Sequence, residues 1–291
     1  MPRQSSLRKK LGGSKDTPVW GWKSPLQTVR RLKASAYLRR IQSGRTHPAV
    51  FMCDDANGNN AGEFVVKLKG GIDAGVTGLT CEIIASLLAK ELGLNAPGSA
   101  IVEIDPAIGN LLSSKDSEMA RIIRRSAGLN FGSEVLVGGY GVWPINKYVP
   151  ASLRPSAGEI FAFDALIQNP DRKVNNPNLL WKGEELFLID HELGFSFLFQ
   201  IGNANETWSL EGDAGAFLNE HVFYGELKGK EIALDRFQRA LEAISDEDLA
   251  SMVDQVPREW NNESVSRISS HLESVRDHAA DFVKQVKWRL A

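Results

Sequence analysis

Asn169-Pro170-Asp171-Arg172-Lys173-Val174-Asn175-Asn176-Pro177-Asn178-Leu179-Leu180, followed a few residues later by Leu188-Ile189-Asp190-His191-Glu192, is the stretch on which the reading of this chain turns. Asn178-Leu179-Leu180-Trp181 and Leu186-Phe187-Leu188-Ile189 are short β-type runs joined by Lys182-Gly183-Glu184-Glu185, which predicts a hairpin. Asp171 then lies in the loop entering the hairpin, and Asp190 lies at its far end. A two-stranded hairpin returns its ends to one place, so both carboxylates face one cleft. Asn176 and Asn178 fall between them and add neutral oxygen donors. Two carboxylates and an amide oxygen suit Mg2+ on a triphosphate, because Mg2+ prefers hard oxygens and takes few protein ligands. The competing reading is a set of ordinary turn formers, since Asn-Pro and Asp-Arg pairs are common in loops. Asp190 weighs against it, standing where the run Leu-Phe-Leu-Ile would otherwise continue.

Working outward, Pro155-Ser156-Ala157-Gly158-Glu159 opens a helix whose buried face is Ile160, Phe163, Leu166 and Ile167. Ser156 and Glu159 have capping-box spacing, and Asn169-Pro170 ends the helix just before Asp171. A second helix is expected over 79–92, with Thr80 as N-cap, Gly93 as the stop, and Ile83, Ile84, Leu87 and Leu88 as its apolar stripe. Glu82 then falls in the first turn, beside the stripe. Residues 48–54 and 63–69 are β-type runs flanking a turn-rich Asp55–Gly62 segment, a hairpin signal. Further strands are expected over 98–104, 133–137 and 143–149, and 34–41 reads equally as strand or helix. Helices are expected over 213–226, 230–244, 246–254 and 263–289. The pattern is α+β, with a strand-rich front and a helical back.

Composition sets the outer bounds. The chain has 291 residues, 43% of them hydrophobic, and a formal net charge of -2. That excludes a mainly disordered, collagen-like or coiled-coil chain. Cys53 and Cys81 are too few for a disulfide scaffold or a cysteine-based zinc site, and both read as reduced, buried thiols. No apolar run approaches the ~18 residues of a membrane span. The N-terminus lacks the apolar stretch of a secretory signal, so the expectation is a soluble, cytoplasmic protein with no membrane partner. Charge is uneven: residues 1–45 carry twelve Lys and Arg against Asp16 alone. This reads either as a surface for an anionic partner, nucleic acid included, or as a solvated tail. Residues 1–26, with Gly12-Gly13-Ser14, read as a basic, flexible lead-in.

The ordered set resembles the HipA-like kinase family, within the wider phosphatidylinositol-kinase-like group. Helix, Asp171-Arg172-x-x-x-Asn176, hairpin and Ile189-Asp190 resemble its catalytic and metal-binding loops. Lys67, ending Phe64-Val65-Val66-Lys67, resembles the nucleotide-binding lysine of the third strand, and Glu82 resembles its ion-pair partner. Gly44-Arg45-Thr46-His47-Pro48 sits where the family has a short phosphate-covering loop. Ala127-Gly128-Leu129-Asn130-Phe131-Gly132-Ser133 and Val256-Pro257-Arg258-Glu259-Trp260 also resemble stretches of small bacterial members. The match runs over about residues 27–285.

The resemblance implies a bilobal, protein-kinase-like fold, with an N-lobe over 27–147 and a C-lobe over 148–291. It implies ATP and Mg2+ as cofactors. Lys67 would hold the α- and β-phosphates, oriented by Glu82, with Gly44 and Thr46 over the phosphates. Tyr148, in the 143–149 segment, would lie at the adenine hinge. Asp171 would act on the attacking hydroxyl, Arg172 would brace the loop, and Asp190 would bind metal with Asn176, Asn178 being the alternate. The implied activity is transfer of the γ-phosphate to a protein Ser or Thr hydroxyl. Family members that are bacterial toxins extend this to an antitoxin-like partner and to autophosphorylation at Ser43 or Thr46. The alternatives are a small-molecule or lipid-headgroup kinase of the same fold, and a nucleotide-binding pseudokinase serving as an interaction module. Three departures stand out: Lys173 replaces the usual His, His191-Glu192 replaces Phe-Gly after the metal aspartate, and the extra N-terminal subdomain of larger HipA toxins is not seen.

Overall fold

The computed structural model describes residues 28–41, 48–112, 116–199, 208–260 and 262–291. The expected phosphate-covering loop, with Gly44 and Thr46, and the basic segment 1–26 lie outside these residues.

Five strands close into a barrel: β1 (Arg30–Arg40), β2 (Ala49–Asp54), β3 (Asn60–Lys67), β4 (Ser99–Ile104) and β5 (Gly128–Glu134). Their order is β1-β2-β3-β5-β4, and β1 closes the ring by running parallel to β4. The ambiguity over 34–41 resolves as strand. β1 buries Leu32 and Ala34 and exposes Arg31 and Lys33, but its register against β2 slips twice, between Ala34 and Ala36 and between Tyr37 and Arg39. Each slip turns the following side chains to the other face, which erases the period-2 signal. The β2–β3 hairpin turns on Asp55, whose Oδ1 accepts the backbone N–H groups of Asn57 and Asn59 at 2.8 and 2.9 Å. The barrel interior is apolar, filled by Phe51, Phe64, Val66, Val102 and Ile104. Strands β4 and β5 approach so closely that a Cβ on Gly132 would stand 2.6 Å from Val102 Cγ2.

Helix α1 (Gly75–Glu91) follows β3 and starts four residues before the expected position. Thr80 is therefore not its cap: Ala74 is, without a side-chain bond, and the Thr80 hydroxyl donates to Val76 O at 3.0 Å. Glu82 lies at the end of the second turn rather than in the first. The expected stop holds. Gly93 has φ +74, its N–H donates to Lys90 O, and Leu94 N–H donates to Ala89 O, a Schellman closure. All residues from Gly78 to Ala89 are buried. The helix packs in the same core as Phe163, Leu166 and the C-terminal helices.

Between β4 and β5 lie α2 (Ala107–Asn110) and α3 (Ser117–Arg125), neither expected from sequence. Helix α3 caps the barrel with Met119, Ile122 and Ile123. The strand expected over 133–137 ends at Glu134 as the tail of β5. The one expected over 143–149 contracts to β6 (Gly141–Val142), because Pro144, Asn146 at φ +58 and Pro150 interrupt the extended backbone. β6 pairs with β7 (Leu179–Lys182), which pairs with β8 (Glu185–Leu188) in the expected hairpin.

Helix α4 (Arg154–Leu166) carries proline in its first turn, where the missing N–H matters least. The expected Ser156–Glu159 box does not form; Glu159 instead accepts from Arg236 Nε at 2.7 Å. The span 213–226 is a 3-10 run, Gly212–Glu220, and a short α5 (Tyr224–Leu227). Helices α6 (Asp235–Glu242) and α7 (Asp246–Asp254) follow, the latter with a true capping box between Ser245 and Asp248. The expected helix over 263–289 is two, α8 (Glu263–Asp277) and α9 (Ala279–Leu290), broken at His278. His278 stacks on Trp208 with ring centroids 4.7 Å apart. The result is an α+β, bilobal, protein-kinase-like architecture, and none of its described helices is long and apolar enough to cross a membrane.

Candidate active site

β3 ends in the middle of the barrel wall, flanked by β2 and β5, and turns Lys67 to the face opposite Phe64 and Val66, toward α1, with 7% of its surface exposed. Three carboxylates surround its ammonium group. Glu82 Oε1, from α1, lies 2.6 Å from Nζ; Asp190 Oδ1 lies at 2.5 Å and Glu192 Oε2 at 2.9 Å. The last two come from the turn after β8. Glu82 is further fixed by the His191 backbone N–H, which donates to Oε1 at 2.9 Å. His191 Nδ1 stands 3.5 Å from Glu82 Oε2; neither of its buried ring nitrogens makes a hydrogen bond among the described residues.

Burial works against the Lys67 charge, but Asp190, Glu82 and Glu192 together outweigh it and hold the ammonium well above its usual range. Burial likewise presses the Glu82 carboxyl upward, and Lys67 and then His191 reverse this, holding it at about 2. Glu192 goes the other way. Burial raises it, Lys67 opposes, and the like charges of Asp190 and Glu82 add to the rise.

Asp171 lies in the loop after α4, where its Oδ2 accepts from Asn176 Nδ2 at 2.9 Å and Asn178 Nδ2 at 3.1 Å. The structure thus gathers Asp171, Asn176 and Asn178 into one hydrogen-bonded group. Burial and the nearby Asp190 charge push the Asp171 carboxyl up, against the two amides and Lys67. Asp190 and Asn178 have φ values of +62 and +46. Non-glycine residues adopt this left-handed region rarely, and it concentrates at functional sites. Tyr148 is exposed, with Lys230 Nζ 5.8 Å from its ring centroid, and it bonds to none of these groups.

Beneath the loop lies a second, fully buried network. Arg172 Nε donates to Asp164 Oδ2 at 2.6 Å, and its Nη1 donates to the carbonyls of Ile189 at 3.3 Å and of Asn178. One guanidinium therefore ties the Asn178 and Ile189 backbones, and with them both acidic positions, to α4. His221 Nε2 completes the network 2.9 Å from Asp164 Oδ2. Burial presses Asp164 upward, but Arg172 and His221 hold it at about 2. Burial pushes the His221 imidazole down.

Sequence reasoning missed three residues here. Asp164 carried a signal, as a lone carboxylate inside Ile160-Phe161-Ala162-Phe163-Asp164-Ala165-Leu166, where a buried acid requires a partner. Glu192 was visible only as a departure from the family pattern. His221 gave no local signal.

The donor chemistry fits a hard divalent cation. Asp190 is one-third exposed and has one oxygen clear of Lys67, the Asn176 and Asn178 amide oxygens accept no hydrogen bond from the described residues, and Glu82, Asp190 and Glu192 bring oxygens within 4.8 Å of one another. A cavity of about 410 Å³ bounded by Leu94, Glu159, Leu186 and Arg236 shares no residue with this group.

A lysine from a β-barrel lobe, paired with a central helix glutamate and facing two aspartates from a helical lobe, is the arrangement of a protein-kinase-like fold. Residues 35–290 match the model of the HipA-like kinases, and the chain belongs to that family. A search of the curated proteins finds no match. Among solved structures, the chain is similar to the Helicobacter pylori proinflammatory kinase CtkA at 12% identity and TM-score 0.49, covering 90% of this chain and 98% of that one. It is also similar to the Neurospora crassa PAN3 pseudokinase, at 13% identity and TM-score 0.29, over 90% of this chain and 67% of that one. Family membership implies use of ATP and a metal.

Proposed function

We propose that this chain is an ATP- and Mg2+-dependent kinase that transfers the γ-phosphate to a Ser or Thr hydroxyl of a protein. One observation carries the reading: Lys67, from the barrel, meets Asp190 from the helical lobe at 2.5 Å, with the Asp171–Asn176–Asn178 group close enough for Asp190 to act on Asp171. Phosphoryl transfer demands positioning and charge neutralisation rather than covalent work by the protein. Bound Mg·ATP supplies the phosphoryl group and offsets its charge. Lys67 holds the α- and β-phosphates and Glu82 orients Lys67. Asp190 and Asn176, with Asn178 as the alternate, hold the metal. Asp171 takes the proton of the attacking hydroxyl, a role its raised carboxyl suits. Gly44 and Thr46 cover the phosphates, and Tyr148 borders the adenine.

In this reading the lobes divide near residue 147, which makes β6 the N-lobe's link to the C-lobe sheet. The protein works in the cytoplasm as a toxin, is answered by an antitoxin-like partner, and silences itself by phosphorylating Ser43 or Thr46. γ-Labelled ATP with the wild-type chain and Asp171→Ala tests the activity. Labelling of a protein acceptor by the wild type, reduced by about 100-fold or more in the variant, is expected. Equal labelling by both removes Asp171 from the reaction.

A further inference from the structure

An ammonium group has three N–H donors. Lys67 donates to Asp190 and Glu192, and the Glu82 carboxylate closes the third side of the ammonium as an ion pair at 2.6 Å. A phosphate oxygen can therefore reach Nζ only if one carboxylate withdraws. Glu82 is not free to do so: it is 1% exposed, sits in the middle of α1, and is also held by the His191 N–H. Asp190 has a short side chain on a constrained backbone, and an oxygen clear of Lys67 that can take a cation while the Lys67 contact persists. Glu192 has no such anchor. Among the described residues its carboxylate contacts Lys67 alone; it is 8% exposed, on a turn between His191 and the exposed Leu193, with a longer side chain than Asp190.

We propose that Glu192 is a phosphate-mimicking gate on Lys67: its carboxylate occupies the place of a nucleotide phosphate and must leave before ATP can be held. The proposal rests on the nucleotide-binding reading above and deepens it by naming the residue that sets the site's demand for cation-bound nucleotide. Three carboxylates around one ammonium leave two uncompensated negative charges at the mouth of the phosphate site. Metal-free ATP is repelled there, and the repulsion acts on phosphate, not on the nucleoside. Glu192→Gln removes one of these negative charges, and Glu192→Ala removes the charge and also frees the Lys67 donor.

The test is calorimetric titration of the full chain, wild type and Glu192→Gln, with ATP and with adenosine, each in EDTA and in Mg2+. Glu192→Ala serves as a second variant, and melting curves establish that both are folded. The expected result is metal-free ATP binding at least ~10-fold tighter in both variants than in the wild type, with adenosine affinity unchanged. Equal or weaker metal-free ATP binding in the variants overturns the gate, as does an equal gain for adenosine, which would report a loosened pocket. If the wild type binds Mg·ATP while the variants show no metal-free gain, the gate alone falls. If no protein binds ATP under any condition, the nucleotide-site reading falls and the gate with it.

Discussion

Asp171 and Arg172 are neighbours in sequence with opposite fates. Asp171 reaches the cleft, while Arg172 turns into the core at 1% exposure and ties Asp164, Asn178 and Ile189 together. The Asp-Arg pair was legible as a motif, and the family resemblance gave Arg172 as a brace, but neither its buried partner Asp164 nor His221 behind Asp164 was, because they lie at sequence distances that no local pattern encodes. Arg172→Met leaves the Asp164 carboxylate buried without its main counter-charge and is expected to destabilise the fold by about 3–5 kcal/mol, measured by urea unfolding. Asp171→Asn should behave differently. Its melting temperature stays near the wild-type value, while phosphoryl transfer falls by about 100- to 10,000-fold. Because burial and Asp190 raise the Asp171 carboxyl, wild-type turnover should rise with pH through that raised value and then level off. A rate profile over pH 4–8 checks this, and the limb should be missing in the residual activity of Asp171→Asn.

Elements with a single buried face and sharp ends were legible: α7, the β7–β8 hairpin and the Gly93 end of α1 fall where the residues put them. The start of α1 was not, because a helix buried on all sides has no polar face to mark its phase, and its first turn, Gly75-Val76-Thr77-Gly78, is poor in helix formers. The split of the last helical span was hidden because His278 is no strong breaker. Another histidine links α8 to α4: His271, buried, contacts Leu166 O through Nε2 at 2.7 Å at the C-terminal end of α4. Burial pushes His271 down to about 4. The unfolded chain takes up that proton near pH 6.5, the folded chain only near 4, so stability falls as pH drops between those values, by roughly 3 kcal/mol in all. His221 shifts in the same direction. Denaturation midpoints should fall from pH 7 to pH 5, and His271→Gln, which keeps a donor and cannot titrate, should flatten that slope.

On the scale of the whole molecule, the order of parts along the chain was legible, but the closure of the barrel was not. The parallel β1–β4 pairing depends on a register that two slips in β1 conceal. Nor does the sequence say that α1, following a barrel strand, packs with the core of the other lobe, while the barrel keeps a core of its own. Lys67 is the point where the two systems meet: it stands on the barrel, and its partners stand on α1 and after β8. Removing its charge should therefore act on the assembly of the lobes, with a distinct pH signature. In Lys67→Met, Glu82 remains buried beside Asp190 and Glu192 with no ammonium among them, so its folded-state carboxyl rises above the unfolded value instead of lying below it. A raised carboxyl penalises the folded state at high pH, and the penalty fades as pH falls and the group takes up its proton. Lys67→Met should then be destabilised by about 3–5 kcal/mol at pH 8 and by much less at pH 5. Adding Glu192→Gln to Lys67→Met removes one of the repelling charges and should restore part of the loss at pH 8. Calorimetric melting of the three proteins at both pH values checks this, and a Lys67→Met deficit that is the same at pH 5 and pH 8 would mean that the carboxylates do not face one another across the lobes.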